Sequence, residues 1–406
     1  MPTTGPISPR TAGPAAWWVL SCLFIVSFAC GPVAAQRSTP YIPDRDDVVL
    51  QHVPPHTDPR VRQFDVLRTD AAAHPTDPAR AVALAEAYIN YGRSTGDARY
   101  LGRAMAVISP FMATASPPIP VALAHATILQ SRHAFDASRS ELEAILRRDP
   151  DSAQAWLTLA SVAMVQGDYP TANRACVQLT NAGGGFMGMA CTSSLRSLDG
   201  HATQAYALLG LIEDPGPKAP ADIRAWIEGL MADTAIRTGR ADLADAHFRE
   251  ALRWTPGDNF LLADYGEFLL DTGRPADALA LVAAETQSDT SFLIRVAAEV
   301  ALGDAHADAD IKAMDARFAA MEQRGDHLFL REQAAFVLHI HHDANEALRL
   351  AALNWTTQRA PKDARIYLEA AIAAGKPGAA APVLAFVKAS GMRDPAVDAL
   401  LPRVQP

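Results

Sequence analysis

The sequence predicts an all-α protein built as a row of antiparallel helix pairs, and three observations support this prediction. From about Asp58, the chain divides into periodic apolar pieces of 12–17 residues separated by Gly, Pro or Asp turns. Asn-Gly hairpin turns and alternating Val/Thr/Tyr runs, the signals of strands, are missing there. Related segments also recur along the chain, with 34 residues between the turn glycines Gly239 and Gly273.

The composition agrees with a helical globular protein. The chain has 406 residues, of which 49% are hydrophobic and only 7% aromatic, and alanine is abundant. Alanine-rich chains of this kind favour helices that pack closely. The formal net charge is −9, and no clusters of Lys and Arg offer phosphate contacts, so a nucleic-acid partner is not expected.

The N-terminus, residues 1–35, is typical of a cleaved signal peptide. Arg10 precedes the apolar run Ala15–Cys30, and small residues end at Ala35, so Gln36 is the predicted mature start. An uncleaved membrane anchor is less favoured, because the run is shorter than the roughly 20 residues that span a bilayer. Lipidation at Cys30 stays an alternative. Export across the inner membrane to the periplasm is the prediction, with no membrane span in the mature chain.

Residues 36–57 are Pro-rich and polar, which indicates an extended N-terminal arm before a helical domain at 58–406. Once the signal peptide is removed, Cys176 and Cys191 are the two remaining cysteines. An even pair in an oxidising compartment predicts a disulfide. The alternative is two separate buried thiols.

The clearest repeat runs from Asp149 to Leu179. One face of its first helix carries Trp156, Leu159, Ala160 and Ala163. Gly167 then ends this helix, and the small residue Ala172 lies on the second. This segment resembles the tetratricopeptide repeat, in which a small residue lets two antiparallel helices approach and bulky residues fill the space between pairs.

The same pattern recurs over nearly the whole mature chain, giving about nine helix pairs. One copy carries Gly239, Ala244 and Pro256, another Tyr265, Gly273 and Ala278, and a third Phe135, Leu142 and Pro150. Weaker copies turn near Gly96, Gly200, Gly303, His342 and Gly375. Several units lack the family's Trp and final Pro, and the spacings vary between 30 and 39 residues. The resemblance implies a right-handed α-solenoid whose first helices line a concave side.

The resemblance also implies a set of partner-binding residues on that concave side. These are Trp226, Asp233, Arg237, Phe260, Glu267, Asp271, Phe329, Glu332, Phe336, His339, Lys362, Arg365 and Glu369. A groove that mixes aromatic and charged side chains suits a peptide or protein segment. The alternative for Trp226, Phe260, Phe329 and Phe336 is packing between neighbouring repeats.

The segment Asn354–Gly375 resembles the C-terminal part of exported tetratricopeptide proteins of Gram-negative bacteria, a likeness that supplies no activity. It is rich in hydrogen-bonding side chains such as Gln358, Arg359 and Asp363. We interpret them as helix caps and as hydrogen bonds between repeats.

Two glycine-rich stretches match phosphate-binding motifs only in part. Gly183–Gly188 (GGGFMG) follows a helix instead of a strand, and the segment at Gly375 (GKPG) lacks the Ser or Thr of a phosphate loop. Both are interpreted as turns. The pair His52 and His56 in the arm is interpreted as solvated. With no catalytic motif found, the prediction is a protein that is not an enzyme and needs no cofactor.

A histidine cluster, LHIHHD, offers an alternative function. His339, His342 and Asp343 could hold a metal ion if a neighbouring unit or water supplied a fourth ligand. The favoured interpretation is a helix–turn–helix corner, with His342 at the turn and Asp343 as an N-cap. The leading hypothesis is therefore a non-catalytic scaffold that binds a protein or peptide in the cell envelope. The alternative is a metal-handling accessory protein.

Overall fold

The computed structural model describes residues 58–212, 219–283 and 288–404. Within these ranges the chain forms helices joined by short turns, without a strand, and the prediction of an all-α protein is confirmed. None of the helices in these ranges is both long and apolar enough to cross a membrane. The predicted signal peptide and N-terminal arm lie outside the described residues.

After a leading helix, α1 (Pro59–Ala73), nine helix pairs follow in the described part of the chain; each pair is called a unit below. They are α2 (Pro78–Thr95) and α3 (Arg99–Met112), α4 (Ile119–Ser131) and α5 (Phe135–Arg148), α6 (Ala153–Val165) and α7 (Tyr169–Leu179), α8 (Gly185–Leu198) and α9 (Ala202–Gly210), α10 (Ala221–Arg237) and α11 (Ala241–Trp254), α12 (Asn259–Asp271) and α13 (Pro275–Val282), α14 (Asp289–Leu302) and α15 (Ala307–Gln323), α16 (Leu330–His339) and α17 (Ala344–Trp355), and α18 (Pro361–Ala373) and α19 (Ala381–Ser390). The last helix is α20 (Pro395–Leu400).

Local sequence signals explain where many helices begin. An N-cap aspartate accepts a hydrogen bond from a main-chain amide in the first turn of α1, α2, α7, α12, α17 and α20. Such a cap satisfies one of the amides that a helix start leaves unpaired. Proline follows the cap in α1, α2, α7 and α20, where its missing N–H costs nothing.

The turn inside each described unit contains one residue in the left-handed conformation. Seven units use glycine, namely Gly96, Gly167, Gly200, Gly239, Gly273, Gly303 and Gly375. The other two use histidine, with φ of 56° at His133 and 58° at His342. The predicted place of His342 at a turn where other units carry glycine is therefore confirmed.

Contacts across these turns show that the two helices of a unit run antiparallel. Ser138 on α5 donates a 2.8 Å hydrogen bond to the carbonyl oxygen of Ala126 on α4. His125 and Glu141, each eight residues from His133, meet at 2.6 Å. Paired residues lie about equally far from the turn on either side, as an antiparallel hairpin requires.

A disulfide joins the third and fourth units, as predicted. Cys176 on α7 and Cys191 on α8 are bridged, with 5.5 Å between their Cα atoms. A π-helical turn, Thr180–Gly184, connects the two helices. Both cysteines are buried in an apolar cluster with Leu142 and Leu179, so the bridge lies inside the core.

The last units pack back onto the third and fourth units. The main-chain amide of Arg359 donates to the carbonyl of Val165 at 2.8 Å, and that of Arg393 donates to Leu198 at 2.9 Å. One apolar cluster contains Ala163 and Tyr169 together with residues of α16 to α20. We call this contact the seam, defined by Val165, Gly167, Tyr169 and Leu198 on one side and Arg359, Phe386 and Arg393 on the other. The array thus coils until its end meets its own earlier units.

Candidate functional site

Charged side chains of three first helices meet on the inside of the coil. Helices α12 and α18 belong to units three positions apart, yet their side chains form direct ion pairs. Such contacts require both helices to face the concave side. We call this group the concave network, defined by Asp264, Glu267 and Asp271 on α12, Arg331, Glu332 and His339 on α16, and Lys362, Arg365 and Glu369 on α18.

The ion pairs of the concave network are short. Lys362 Nζ lies 2.7 Å from Asp264 and 2.5 Å from Glu267. Arg365 binds Asp271 through two nitrogens, at 2.5 and 2.9 Å. Such bidentate ion pairs fix the relative orientation of the two side chains in addition to pairing their charges. The acidic row of α12 is thus filled by basic side chains of the same chain.

Four further ion pairs extend the concave network around the inside of the coil. Arg331 lies 2.5 Å from Glu332 and 3.4 Å from Glu267. Arg365 also binds Glu369 at 2.8 Å, and His339 lies 3.3 Å from Glu369. The network holds five carboxylates and three permanent cations, so its arithmetic charge is −2 when His339 is neutral.

The surroundings change the pKa of these groups in opposite directions. Partial burial raises the pKa of Glu267, but the charges of Lys362 and Arg331 outweigh it and lower that pKa to about 2. Burial lowers the pKa of Lys362, while Asp264 and Glu267 raise it above its ordinary value by more. Both side chains are therefore charged at neutral pH.

The predicted aromatic residues divide between core and surface. Phe336 is 2% exposed and packs against Phe318, with ring centroids 5.5 Å apart. Phe329 packs against the same cluster. Phe260, in contrast, is 54% exposed and lies one turn before Asp264 on α12. Phe336 is thus a core residue inaccessible to a partner, whereas Phe260 remains accessible beside the network.

The predicted residues on α10 lie apart from the concave network. Trp226 packs against the cluster that contains Leu209. Arg237, with a side chain only 10% exposed, binds Asp233 at 2.7 Å and Ser197 at 3.0 Å. It also approaches Asp394, the N-cap of α20, at 3.7 Å. Through these contacts Arg237 links α20 to α8 and α10. Few of its atoms reach solvent, so it is not available to a partner.

Sequence reasoning missed Asp264 and Arg331, which belong to the concave network. Asp264 lies three residues before Glu267 on one helix, a spacing that places both on one face. Arg331 directly precedes Glu332. The acidic spacing on α12 could have predicted Asp264, but no local signal indicates that Arg331 reaches α12.

The histidine cluster does not assemble a metal site. His339 lies beside Glu369, His341 binds Asp315 at 2.7 Å, and Asp343 caps α17 by accepting from the Glu346 amide at 3.0 Å. In the residues that the structure describes, no group of three His, Cys, Asp or Glu side chains could hold a metal ion. The predicted N-cap role of Asp343 is confirmed.

The segment Asn354–Gly375 forms the predicted cap and hydrogen bonds. Asp363 accepts from the Asn354 amide and from the main-chain amide of Ala360, both at 2.8 Å. Gln358 donates to Asn354 at 3.0 Å. Burial raises the pKa of Asp363. This cap fixes how α18 follows α17, and hence where Lys362 and Arg365 project.

A second polar group lies buried between α9, α10 and α11. Glu228 binds His247 at 2.7 Å, and the other ring nitrogen of His247 lies 2.8 Å from the Tyr206 hydroxyl. The guanidinium of Arg240 covers the Tyr206 ring at 3.9 Å. Glu228 and His247 are buried, so this chain of hydrogen bonds joins three helices instead of lining a cleft.

Comparisons with known proteins give distant likenesses. No family model matches the chain, and no curated protein matches it. Among solved structures, PilW, described as a widely conserved type IV pilus biogenesis factor, is 15% identical with a TM-score of 0.40, covering 50% of this chain and 94% of that one. A tetratricopeptide repeat protein from Parabacteroides merdae is 15% identical with a TM-score of 0.38, covering 59% and 92%. The human IFIT1 dimer with m7Gppp-AAAA is 10% identical with a TM-score of 0.48, covering 82% and 86%. Likenesses at this level carry no argument about partner or site.

Proposed function

We propose that this chain is a non-catalytic helical-repeat scaffold of the periplasm that binds a protein or peptide segment at the concave network. The observation that carries the proposal is the acidic row of α12, filled by Lys362 and Arg365 from three units away. These ion pairs are partly exposed, so a partner's charged groups can reach them. The pairs of Lys362 with Asp264 and of Arg365 with Asp271 are the more exposed ones, and an exposed ion pair contributes little stability, so a partner can replace them at low cost.

The charges indicate the kind of partner. The row of Asp264, Glu267 and Asp271 already accepts a lysine and two arginines. A partner segment with basic side chains can take the places of Lys362 and Arg365, while the exposed ring of Phe260 offers an apolar contact. We therefore propose an extended basic segment as the partner.

The test is capture from periplasmic extract with the mature chain, followed by reconstitution of the identified partner with purified protein. We expect one recurrent partner whose affinity falls at least about tenfold in the double variant Phe260→Ala/Asp271→Lys. The control is Arg249→Gln, which removes the charge of an exposed side chain on α11 outside the concave network. No reproducible partner, or equal binding by both variants, would contradict the proposal.

The location has its own test. Cell fractionation of the full chain is expected to place the mature protein in the periplasmic fraction, with residue 36 at its N-terminus. A mature protein that keeps Cys30 and partitions with membranes would instead support the lipidated alternative.

A further inference from the structure

Helix α2 ends where helix α12 begins, although their units are five positions apart. A Cβ added at Gly96, the C-cap of α2, would lie 3.1 Å from the side chain of Asn259, the first residue of α12. Arg93, in the last turn of α2, has Asp258, the N-cap of α12, as its acidic neighbour. The exposed surface of α12 therefore continues past the start of that helix to Arg93.

Arg93 is an exposed cation that no carboxylate pairs. Within the described ranges its guanidinium forms no hydrogen bond or ion pair, in contrast to Arg365 with its two acidic partners. The surrounding protein lowers the pKa of Arg93 because it removes water from the charge, and Asp258 opposes this shift. Asp258 is engaged as an N-cap that accepts two main-chain amides. A carboxylate supplied by a partner therefore meets guanidinium donors that are still unused.

Three exposed side chains follow Arg93 along α12 in a fixed order. Phe260, which is 54% exposed, comes first, and Asp264 and Asp271 lie about 6 Å and about 17 Å further along the helix axis. In an extended segment, every second side chain lies on one face, about 7 Å from the next. Such a segment places an apolar side chain on Phe260 and a basic one at Asp264. The flexible stem of a second lysine covers the remaining distance to Asp271.

We propose that the segment bound at the concave network carries an acidic residue, then an apolar residue, then its basic residues. The acid pairs with Arg93, the apolar side chain covers Phe260, and the basic side chains pair with Asp264 and Asp271. A segment with another order of charges brings like charges together at one of these positions, which costs affinity. This inference rests on the function proposed above, and it adds the pattern of charges by which the partner is recognised.

The test compares three blocked peptides on the unaltered protein by calorimetry. The probe is Ac-Glu-Ser-Leu-Ser-Lys-Ser-Lys-NH2. In one analogue glutamine replaces the glutamate, and in the other the glutamate and the first lysine exchange places, which keeps the composition. We expect both analogues to bind at least about tenfold more weakly than the probe. Attraction by net charge alone would instead make the glutamine analogue, which is the more positive peptide, bind more tightly.

Two arginine variants assign the contact on the protein. Arg93→Gln is expected to bind the probe and the glutamine analogue equally, whereas Arg148→Gln, which removes an exposed cation from α5, keeps the difference. If the unaltered protein binds the glutamine analogue as tightly as the probe, or the difference persists in Arg93→Gln, this inference is overturned and the proposed function stands. Absence of binding of all three peptides at millimolar concentration would also overturn it, while capture of a partner decides the proposed function separately.

Discussion

At the scale of single residues, the left-handed turns are the most regular feature of the molecule. His342 adopts φ 58° at a position where seven of the nine described units have glycine. A side chain in this conformation meets the following carbonyl oxygen, at a cost of roughly 1–2 kcal/mol, which glycine avoids. His342 is exposed, so little packing is lost when its ring is removed.

We predict that His342→Gly raises the free energy of unfolding by roughly 0.5–1 kcal/mol, since relief of strain outweighs the greater freedom of the unfolded chain. Urea unfolding followed by circular dichroism measures this change. His342→Ala is the matched control, because it removes the ring but keeps the Cβ. Equal stability of the two variants would contradict the explanation.

Gly167 differs from other turn glycines by its contact at the seam. A Cβ added at Gly167 would lie 2.5 Å from the ring of Phe386, whereas one added at Gly273 meets nothing within 4 Å. Both glycines have positive φ, 76° and 72°. The pair therefore separates strain in the backbone from a clash across the seam.

We predict that Gly167→Ala destabilises the protein by about 1–3 kcal/mol more than Gly273→Ala, because the added methyl overpacks the seam. Thermal or chemical unfolding of both variants gives the difference. In a Phe386→Ala background the difference is expected to shrink. A difference that persists there would show that Phe386 is not its source.

At the scale of helices, the disulfide joins α7 to α8 where the chain leaves regular α-helix. The bridged cysteines are 15 residues apart and enclose the π-helical turn. A covalent link that closes a loop of this length restricts the conformations of the unfolded chain, and thereby stabilises the folded chain by roughly 3 kcal/mol.

We predict that Cys176→Ala/Cys191→Ala lowers the free energy of unfolding by roughly that 3 kcal/mol, plus a smaller packing loss. Unfolding of the unaltered protein with and without reductant gives the bridge contribution alone. The double variant is expected not to respond to reductant. A stability of the unaltered protein that is the same in both conditions would contradict the prediction.

At the scale of the whole molecule, the concave network makes the free energy of unfolding depend on pH in the acidic range. The pKa of Glu267 is lowered to about 2 from an ordinary value near 4.5, because Lys362 and Arg331 outweigh the effect of its burial. A carboxyl whose pKa is lowered by folding contributes stability that is fully present above its unfolded pKa. That stability is lost as pH falls from about 4.5 towards 2.

We predict that Glu267→Gln flattens the dependence of stability on pH between about 4.5 and 2 and is destabilising at pH 7. Urea unfolding at several pH values measures both effects. Asp315→Asn is the control, since Asp315 is an exposed acid that binds His341 outside the concave network. An equally steep acid dependence in the Glu267 variant would rule out this carboxyl as its source.

Local patterns in the sequence were sufficient to predict the helix pairs, their turns and several caps. The glycine turns, the Asp343 cap and the small Ala172 depend on contacts within one or two helices, which a spacing of a few residues specifies. The disulfide followed from cysteine number and compartment. The resemblance to the tetratricopeptide repeat placed Glu267, Lys362, Arg365 and Glu369 on one side, and in the structure these residues belong to one set of ion pairs.

What these residues contact was decided by tertiary structure. The resemblance implied that Phe336 and Arg237 are groove residues, with packing between repeats as the alternative for Phe336. In the structure Phe336 packs in the core and Arg237 contacts the N-cap of α20. The sequence alone determined a row of helix pairs with charged first helices. The curvature of the array brings α12 opposite α18 and closes the seam. This curvature is the sum of small rotations between neighbouring helix pairs, and no local spacing of residues specifies that sum.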